Sequence, residues 1–200
     1  KREAQKLGRP VLISHVMPIP PLDPLSFYVA ARPWFKGKRI YWSIPDQELV
    51  FVGLGAAYTI ESEEPNRFED LCLKWENLCK HTIFTHNAST RGTGPLLLGG
   101  FSFDAQVRDP LWTKYKPASF CLPQILLTKE ENTQYLTINM YLDPHKKPHT
   151  NEGNELIQWG ERLIQRSQNV VLNTRKTPNS LHYTNGDLSQ WIERVRQAVN

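Results

Sequence analysis

The sequence is poor in the residues that announce covalent or metal chemistry. Its 200 residues include three cysteines and two methionines. So sparse and odd a cysteine set excludes a disulfide scaffold and fits a reducing compartment. Cys72 and Cys79 lie seven apart in a helical pattern, a rise of roughly 10 Å, which exceeds the ~7 Å Cα separation that a disulfide can span. No apolar run approaches the ~20 residues of a membrane-spanning helix. The strongest candidate, Glu48 to Ala57, is short and is interrupted by Gly53 and Gly55. The start, Lys1-Arg2-Glu3, leads into no apolar segment of the kind a secretory signal needs. These absences lead us to expect a soluble, cytoplasmic protein with no membrane partner.

Charge of one sign is not concentrated either. The net charge of +4 comes from 24 Lys and Arg set against 20 Asp and Glu, interleaved along the chain. The densest basic groups, Lys36-Lys38-Arg39 and His145-Lys146-Lys147-His149, sit beside Gly or Pro and read as solvated turns. A nucleic-acid partner, which requires a concentrated basic face, is not expected.

Hydrophobic residues at 40% and charged residues at 22% are globular values. A chain of this length buries roughly 70% of its unfolded surface around one core. Lys1 to Gly8 reads as the last turns of a helix, and Val11 to Met17 as a strand followed by prolines 18, 20 and 21. Asp23 before Pro24 caps a short helix through about Ala31. Arg39–Ile44, Glu48–Leu54 and Ala57–Ser62 read as strands, the first two joined by a hairpin turn at Pro45-Asp46-Gln47. Phe68, Leu71, Cys72, Trp75, Leu78 and Cys79 recur at helical spacing over Arg67 to His81. Thr85 to Pro95, polar and Gly-rich, reads as a mobile loop. Leu96–Asp104, Cys121–Thr128 and Gln134–Leu142 read as strands. Asn154–Arg166 reads as a helix with Leu156, Ile157, Gly160, Leu163 and Ile164 inward, and a last helical stripe begins at Leu188. Strands in groups with intervening helices predict an α+β fold with a largely antiparallel sheet. Both ends fall in helical patterns and residue 1 is not methionine, so residues 1–200 are expected to form a single partial domain of a longer protein.

Candidate chemistry is thin. Cys72, Cys79, His81 and His86 are the residue types that hold zinc, but no Cys-x-x-Cys pair occurs, and both cysteines belong to the helical apolar stripe, where they read as core residues. Gly53-Leu54-Gly55 lacks the third glycine of a dinucleotide loop, Tyr58 standing in its place. Gly92-Thr93-Gly94 lacks the Gly-Lys-Ser/Thr ending of a phosphate loop. Asn87-Ala88-Ser89 is a glycosylation triplet that matters only in a secreted protein. Glu63-Glu64 and Glu130-Glu131 are adjacent acids in turn-like contexts, whose side chains point apart. No Gly-x-Ser-x-Gly nucleophile signature is present.

The distinctive stretch is Gly99-Gly100-Phe101-Ser102-Phe103-Asp104, where two glycines in a strand pattern mark close approach of another backbone. With Arg39-Ile40-Tyr41-Trp42 and Val52-Gly53-Leu54-Gly55-Ala56-Ala57 before it, and Trp112 and Phe120-Cys121-Leu122-Pro123 after it, the chain resembles the N-terminal half of the isochorismate synthases. These are chorismate-using enzymes, and the likeness, nearest to their menaquinone-pathway type, runs over roughly residues 9 to 199. The resemblance implies antiparallel sheets packed face to face with helices outside, this segment supplying part of each. It further implies an isomerase parent that converts chorismate to isochorismate with magnesium. The family's base, a lysine in a Lys-Val-Val-Leu-Ala-Arg type strand, and its acid and metal-binding glutamates all lie in the C-terminal half. None of those motifs occurs here. No catalytic, cofactor-binding or metal residue is therefore assigned, and chorismate and magnesium are expected to be bound by the catalytic C-terminal half that this segment lacks. The segment by itself is expected to be inactive. A non-catalytic ligand-binding or regulatory domain is the alternative reading.

Overall fold

The computed structural model describes residues 8–86, 90–104, 115–145, 152–172 and 188–199. The expected first helix, Gly8 apart, and the Asn87-Ala88-Ser89 triplet lie outside them. Strand β1 (Val11–Pro18) buries Leu12, Ser14 and Val16 on one side, with Ile13, His15 and Met17 half-buried on the other. Helix α1 (Pro24–Ala30) starts as its cap dictates: Asp23 Oδ2 accepts from the Ser26 amide at 2.8 Å, and Pro24 fills the first helical position. Strands β2 (Arg39–Ile44) and β3 (Leu49–Leu54) form a hairpin through a 3-10 turn, Pro45–Gln47, which Glu48 closes at φ 47°. Then come β4 (Tyr58–Ser62), α2 (Arg67–Cys79), β5 (Thr82–His86), β6 (Leu98–Phe101), β7 (Ala118–Leu122), β8 (Ile125–Glu130) and β9 (Thr133–Leu142). Helices α3 (Glu152–Ser167) and α4 (Leu188–Val199) complete the described elements.

The fold is α+β. A large sheet runs β2-β3-β8-β9-β1-β5, antiparallel except for the β1–β5 pair, and a small antiparallel sheet runs β4-β7-β6. One pair of chain segments passes from one sheet to the other. β3 continues into β4 through Gly55, at φ 67°, and β7 continues into β8 through Pro123 and Gln124. The Gln124 backbone amide donates to Leu54 O at 3.0 Å and the Ala57 amide to Leu122 O at 2.8 Å, so backbone bonds flank the corner on both sides. Any side chain at position 55 would be strained at this φ, which is why glycine stands at the bend.

Among the described residues three apolar clusters hold the layers together. Helices α1 and α3 cover one face of the large sheet, packing Phe27, Ala30, Leu156 and Leu163 on Val52, Leu54, Ile125, Leu127, Leu136 and Ile138. On the opposite face, Leu98 of the small sheet joins Leu49, Phe51 and Leu126. Helix α2 backs the small sheet through Leu71 and Trp75, against Ile60, Ala118 and Phe120. Helices thus lie outside and sheet meets sheet within.

Four expectations are corrected. The run read as a single strand, Cys121–Thr128, is two, because Pro123 cannot donate to a ladder and breaks it at the corner. Thr82–His86, of which the sequence assigns Thr82–Phe84 to no element and Thr85–His86 to the loop, is the edge strand β5, needing only β1 as its neighbour. The second half of the loop is seated rather than loose: Thr128 Oγ1 donates to Gly92 O at 2.7 Å, and the Gly94 amide donates to Thr137 Oγ1 at 3.3 Å. Finally, the buried face of α2 is rotated. Arg67 is 7% exposed while Phe68 and Cys72 face solvent, so Cys72 is not a core residue. Phe68 turns outward to stack on Phe101, with ring centroids 4.3 Å apart.

Candidate functional site

Buried polar chemistry collects on the inner face of the large sheet. Ser14, Thr128, Thr137 and Asn139 point from β1, β8 and β9 into the space between the sheets, and all four are fully buried. Ser14 Oγ donates to Asn139 Oδ1 at 2.8 Å, and Asn139 Nδ2 donates to Pro123 O at 3.0 Å. The two threonines hold the backbone of the Gly92–Gly94 segment. Each group is neutral and has its partner, so this strip ties the corner and the loop to the sheet. It offers neither a base nor a cation for chemistry.

The Gly99–Asp104 motif builds a different surface. At Gly99 a Cβ would lie 2.2 Å from Ser119 O, the close backbone approach that the paired glycines predict, whereas at Gly100 it would meet open space. Phe101 stacks between Phe68 and Phe120, its centroid 4.9 Å from that of Phe120. Arg67 lies over the Phe68 ring at 4.8 Å, and its Nη2 donates to Ser102 O at 3.1 Å. Arg67 Nε and Ser102 Oγ are buried with no hydrogen-bond partner among the described residues, a costly arrangement for a guanidinium. Phe68, Phe101 and Phe103 are exposed beside them, Phe103 completely.

Among the described residues the shifted titratable groups are thiols, phenols and one surface carboxylate. Burial pushes the Cys79 and Cys121 thiols up, away from the reactive thiolate, and Cys121 Sγ donates to Gly55 O at 3.4 Å. Burial also raises Tyr41, with a contribution from Asp23, and Tyr141, with contributions from Tyr58 and Asp143. Asp70 is lowered, through its hydrogen bond to Lys74, in an exposed i,i+4 pair. Of the zinc-type residues, Cys72 and Cys79 lie on α2, His86 ends β5, and His81 Nε2 lies 2.9 Å from Arg9 Nη1. Among the described residues no three His, Cys, Asp or Glu converge on a metal-sized site. Glu63 pairs with Lys116, and Glu131 occupies a left-handed turn at φ 51°. Gly53 lies inside β3 against Pro123 and Leu98, so the Gly53-Leu54-Gly55 stretch serves packing rather than a nucleotide.

An isochorismate synthase MenF of Bacillus subtilis is 32% identical over 146 residues, covering 70% of this chain and 31% of that protein. A salicylate biosynthesis isochorismate synthase of Pseudomonas aeruginosa is 32% identical over 131 residues, covering 64% of this chain and 25% of that one. Among solved structures, the menaquinone-specific isochorismate synthase MenF of Escherichia coli matches with a TM-score of 0.48 at 16% identity, over 95% of this chain and 37% of its own. The chain therefore spans between a quarter and a third of the length of the two curated relatives. The family model described as chorismate binding enzyme matches residues 1–200, so the chain belongs to the chorismate-binding enzyme family.

Proposed function

We propose that the chain is the N-terminal scaffold portion of an isochorismate synthase, an isomerase that converts chorismate to isochorismate, and that it serves menaquinone synthesis in the cytoplasm of a bacterium. The observation that carries this reading is the 32% identity to two proteins named for that reaction, over most of the chain. In that reaction water enters one ring carbon as hydroxyl leaves another. Water is a poor nucleophile and hydroxide a poor leaving group, so a general base and a general acid are both required. Magnesium would neutralise the substrate's carboxylate. The described residues do not fit that ion, since no acidic cluster converges, and in this proposal the remainder of the protein supplies metal ligands, base and acid.

The surface of the segment supports the scaffold role. The small sheet ends in β6, and next to that edge lie Phe68, Phe101 and Phe103 with the orphaned Arg67 Nε and Ser102 Oγ. Helix α4 carries exposed Trp191, Ile192 and Val195 on one stripe. Apolar surface of this kind marks an interaction site, here one for the remainder of the enzyme. No helix among the described residues is long and apolar enough to cross a membrane. Incubating the longer protein and this chain separately with chorismate and magnesium tests the reading. Isochorismate should accumulate with the former only, and turnover by the 200-residue chain alone would place catalytic groups within it and overturn the proposal.

A further inference from the structure

The outer surface of the α1–α3 layer carries an open groove of about 550 Å³, lined by Trp34, Trp159, Arg162, Gln165, Arg166 and Asn169. Its size is that of a small-molecule site. The two indoles meet edge-on, with centroids 5.0 Å apart and planes at 66°. The Arg166 guanidinium lies 4.8 Å from the Trp34 ring centroid, and that of Arg162 5.8 Å from the Trp159 centroid. The two arginines are four apart on α3, so a helical rise of about 6 Å sets them on one face as like charges that repel. Among the described residues neither has an ion-pair partner, although Glu161 is the neighbour of Arg162 in sequence.

A guanidinium stacked on an indole is oriented, and its rim of N–H groups stays free to donate. Two such forks side by side, uncompensated and beside the Gln165 amide, complement oxygens that share negative charge. We propose that this groove binds a small molecule bearing two oxyanionic groups, carboxylate or phosphate, one on each guanidinium, with its apolar body against the edges of Trp34 and Trp159. The groove lies on the helical side of the large sheet, away from the exposed aromatic surface, so the inference does not rest on the isochorismate reading.

Calorimetric titration of the full chain at fixed ionic strength, with succinate, inorganic phosphate and acetate as probes, tests it, with tryptophan fluorescence as a second readout. Saturable binding of succinate, at least tenfold tighter than of acetate or inorganic phosphate, which each carry a single oxyanionic group, is the expected result, and phosphate binding as tight as that of succinate would remove the need for two groups and overturn the proposal. The double variant Arg162→Gln/Arg166→Gln should weaken it tenfold or more, and Arg162→Lys/Arg166→Lys, which keeps charge but not the stacked fork, should weaken it as well. Arg194→Gln, on α4, should leave it unchanged. Arg162 and Arg166 are both exposed, so the variants keep the fold, as circular dichroism would verify. Equal response to all three probes, or full binding by either double variant, overturns the proposal.

Discussion

At Gly99 and Gly100 the chain carries two identical residues with opposite tolerances. A Cβ at Gly99 would sit 2.2 Å from Ser119 O and 2.6 Å from Phe120 Cα, and backbone cannot yield without parting β6 from β7. Gly99→Ala should therefore lower stability by ~2–3 kcal/mol, as overpacking does, while Gly100→Ala should stay within ~0.5 kcal/mol. Urea midpoints of the two variants decide this, and equal midpoints would refute the packing described. The thiols give a second residue-level test. Cys72 is exposed, whereas Cys79 and Cys121 are half-buried and pushed up by desolvation. Iodoacetamide at pH 8, followed by peptide mass spectrometry, should modify Cys72 first and Cys121 last; early loss of Cys121 would contradict its placement. Asp70 gives a third. Its hydrogen bond to Lys74 holds its carboxyl below the usual range in the folded state, so the pair stabilises above the unfolded pKa of ~3.9 and the gain disappears as pH falls through the folded value. The stability difference between wild type and Asp70→Asn, small because the pair is exposed, should shrink to nothing in acid; a difference that grew on acidification would reverse the assigned sign.

Whole elements were legible where a run of apolar residues at one spacing was long enough to mark them. β1, β2, β9 and α3 stand where strand or helical patterns put them, although β1 and β9 are covered on both faces and Trp42, on the apolar face of β2, is exposed. β5 was not legible, since an edge strand is fixed by a partner remote in sequence; the β7–β8 corner was marked locally by Pro123, inside a run that otherwise reads as one strand. The α2 stripe misled for a related reason: hydrophobicity alone ranks Phe68 above Arg67, yet the ring stacking on Phe101 and the carbonyl of Ser102 draw the arginine in. The inner polar strip was equally invisible, its members being ordinary Ser, Thr and Asn in strand patterns. Asn139→Ala should cost roughly 2–4 kcal/mol, because it strands both Ser14 Oγ and Pro123 O in a dry layer. Gly160→Ala sets a contrast. Its Cβ would come 2.6 Å from Leu136 Cδ2, a methyl able to rotate, and the helix gains ~1 kcal/mol from the substitution. The net effect should lie within ~1 kcal/mol of zero by thermal denaturation, and a loss as large as that of Gly99→Ala would show that helix and sheet there cannot give.

For the molecule as a whole, the family was legible in the Gly99–Asp104 motif and its flanking strands, although the structure gives those residues packing roles rather than catalytic ones. No acid–base pair was assigned from the sequence, and the inner polar strip supplies none, since its members are neutral and already partnered. What the fold does present is aromatic surface with no cover among the described residues. Phe103 is its sharpest case, being fully exposed. If this surface seats the remainder of a chorismate-binding enzyme, its contribution must depend on whether that remainder is present. Phe103→Ser should leave the stability of the 200-residue chain within ~0.5 kcal/mol, as replacement of a fully solvated side chain does. In the longer protein the same substitution should cost ~2 kcal/mol, the transfer free energy of a phenylalanine side chain leaving an apolar interface. Paired denaturation curves measure the difference between the two contexts directly. An equal effect in both would mean that the ring is solvated in each, and that the proposed remainder is seated elsewhere.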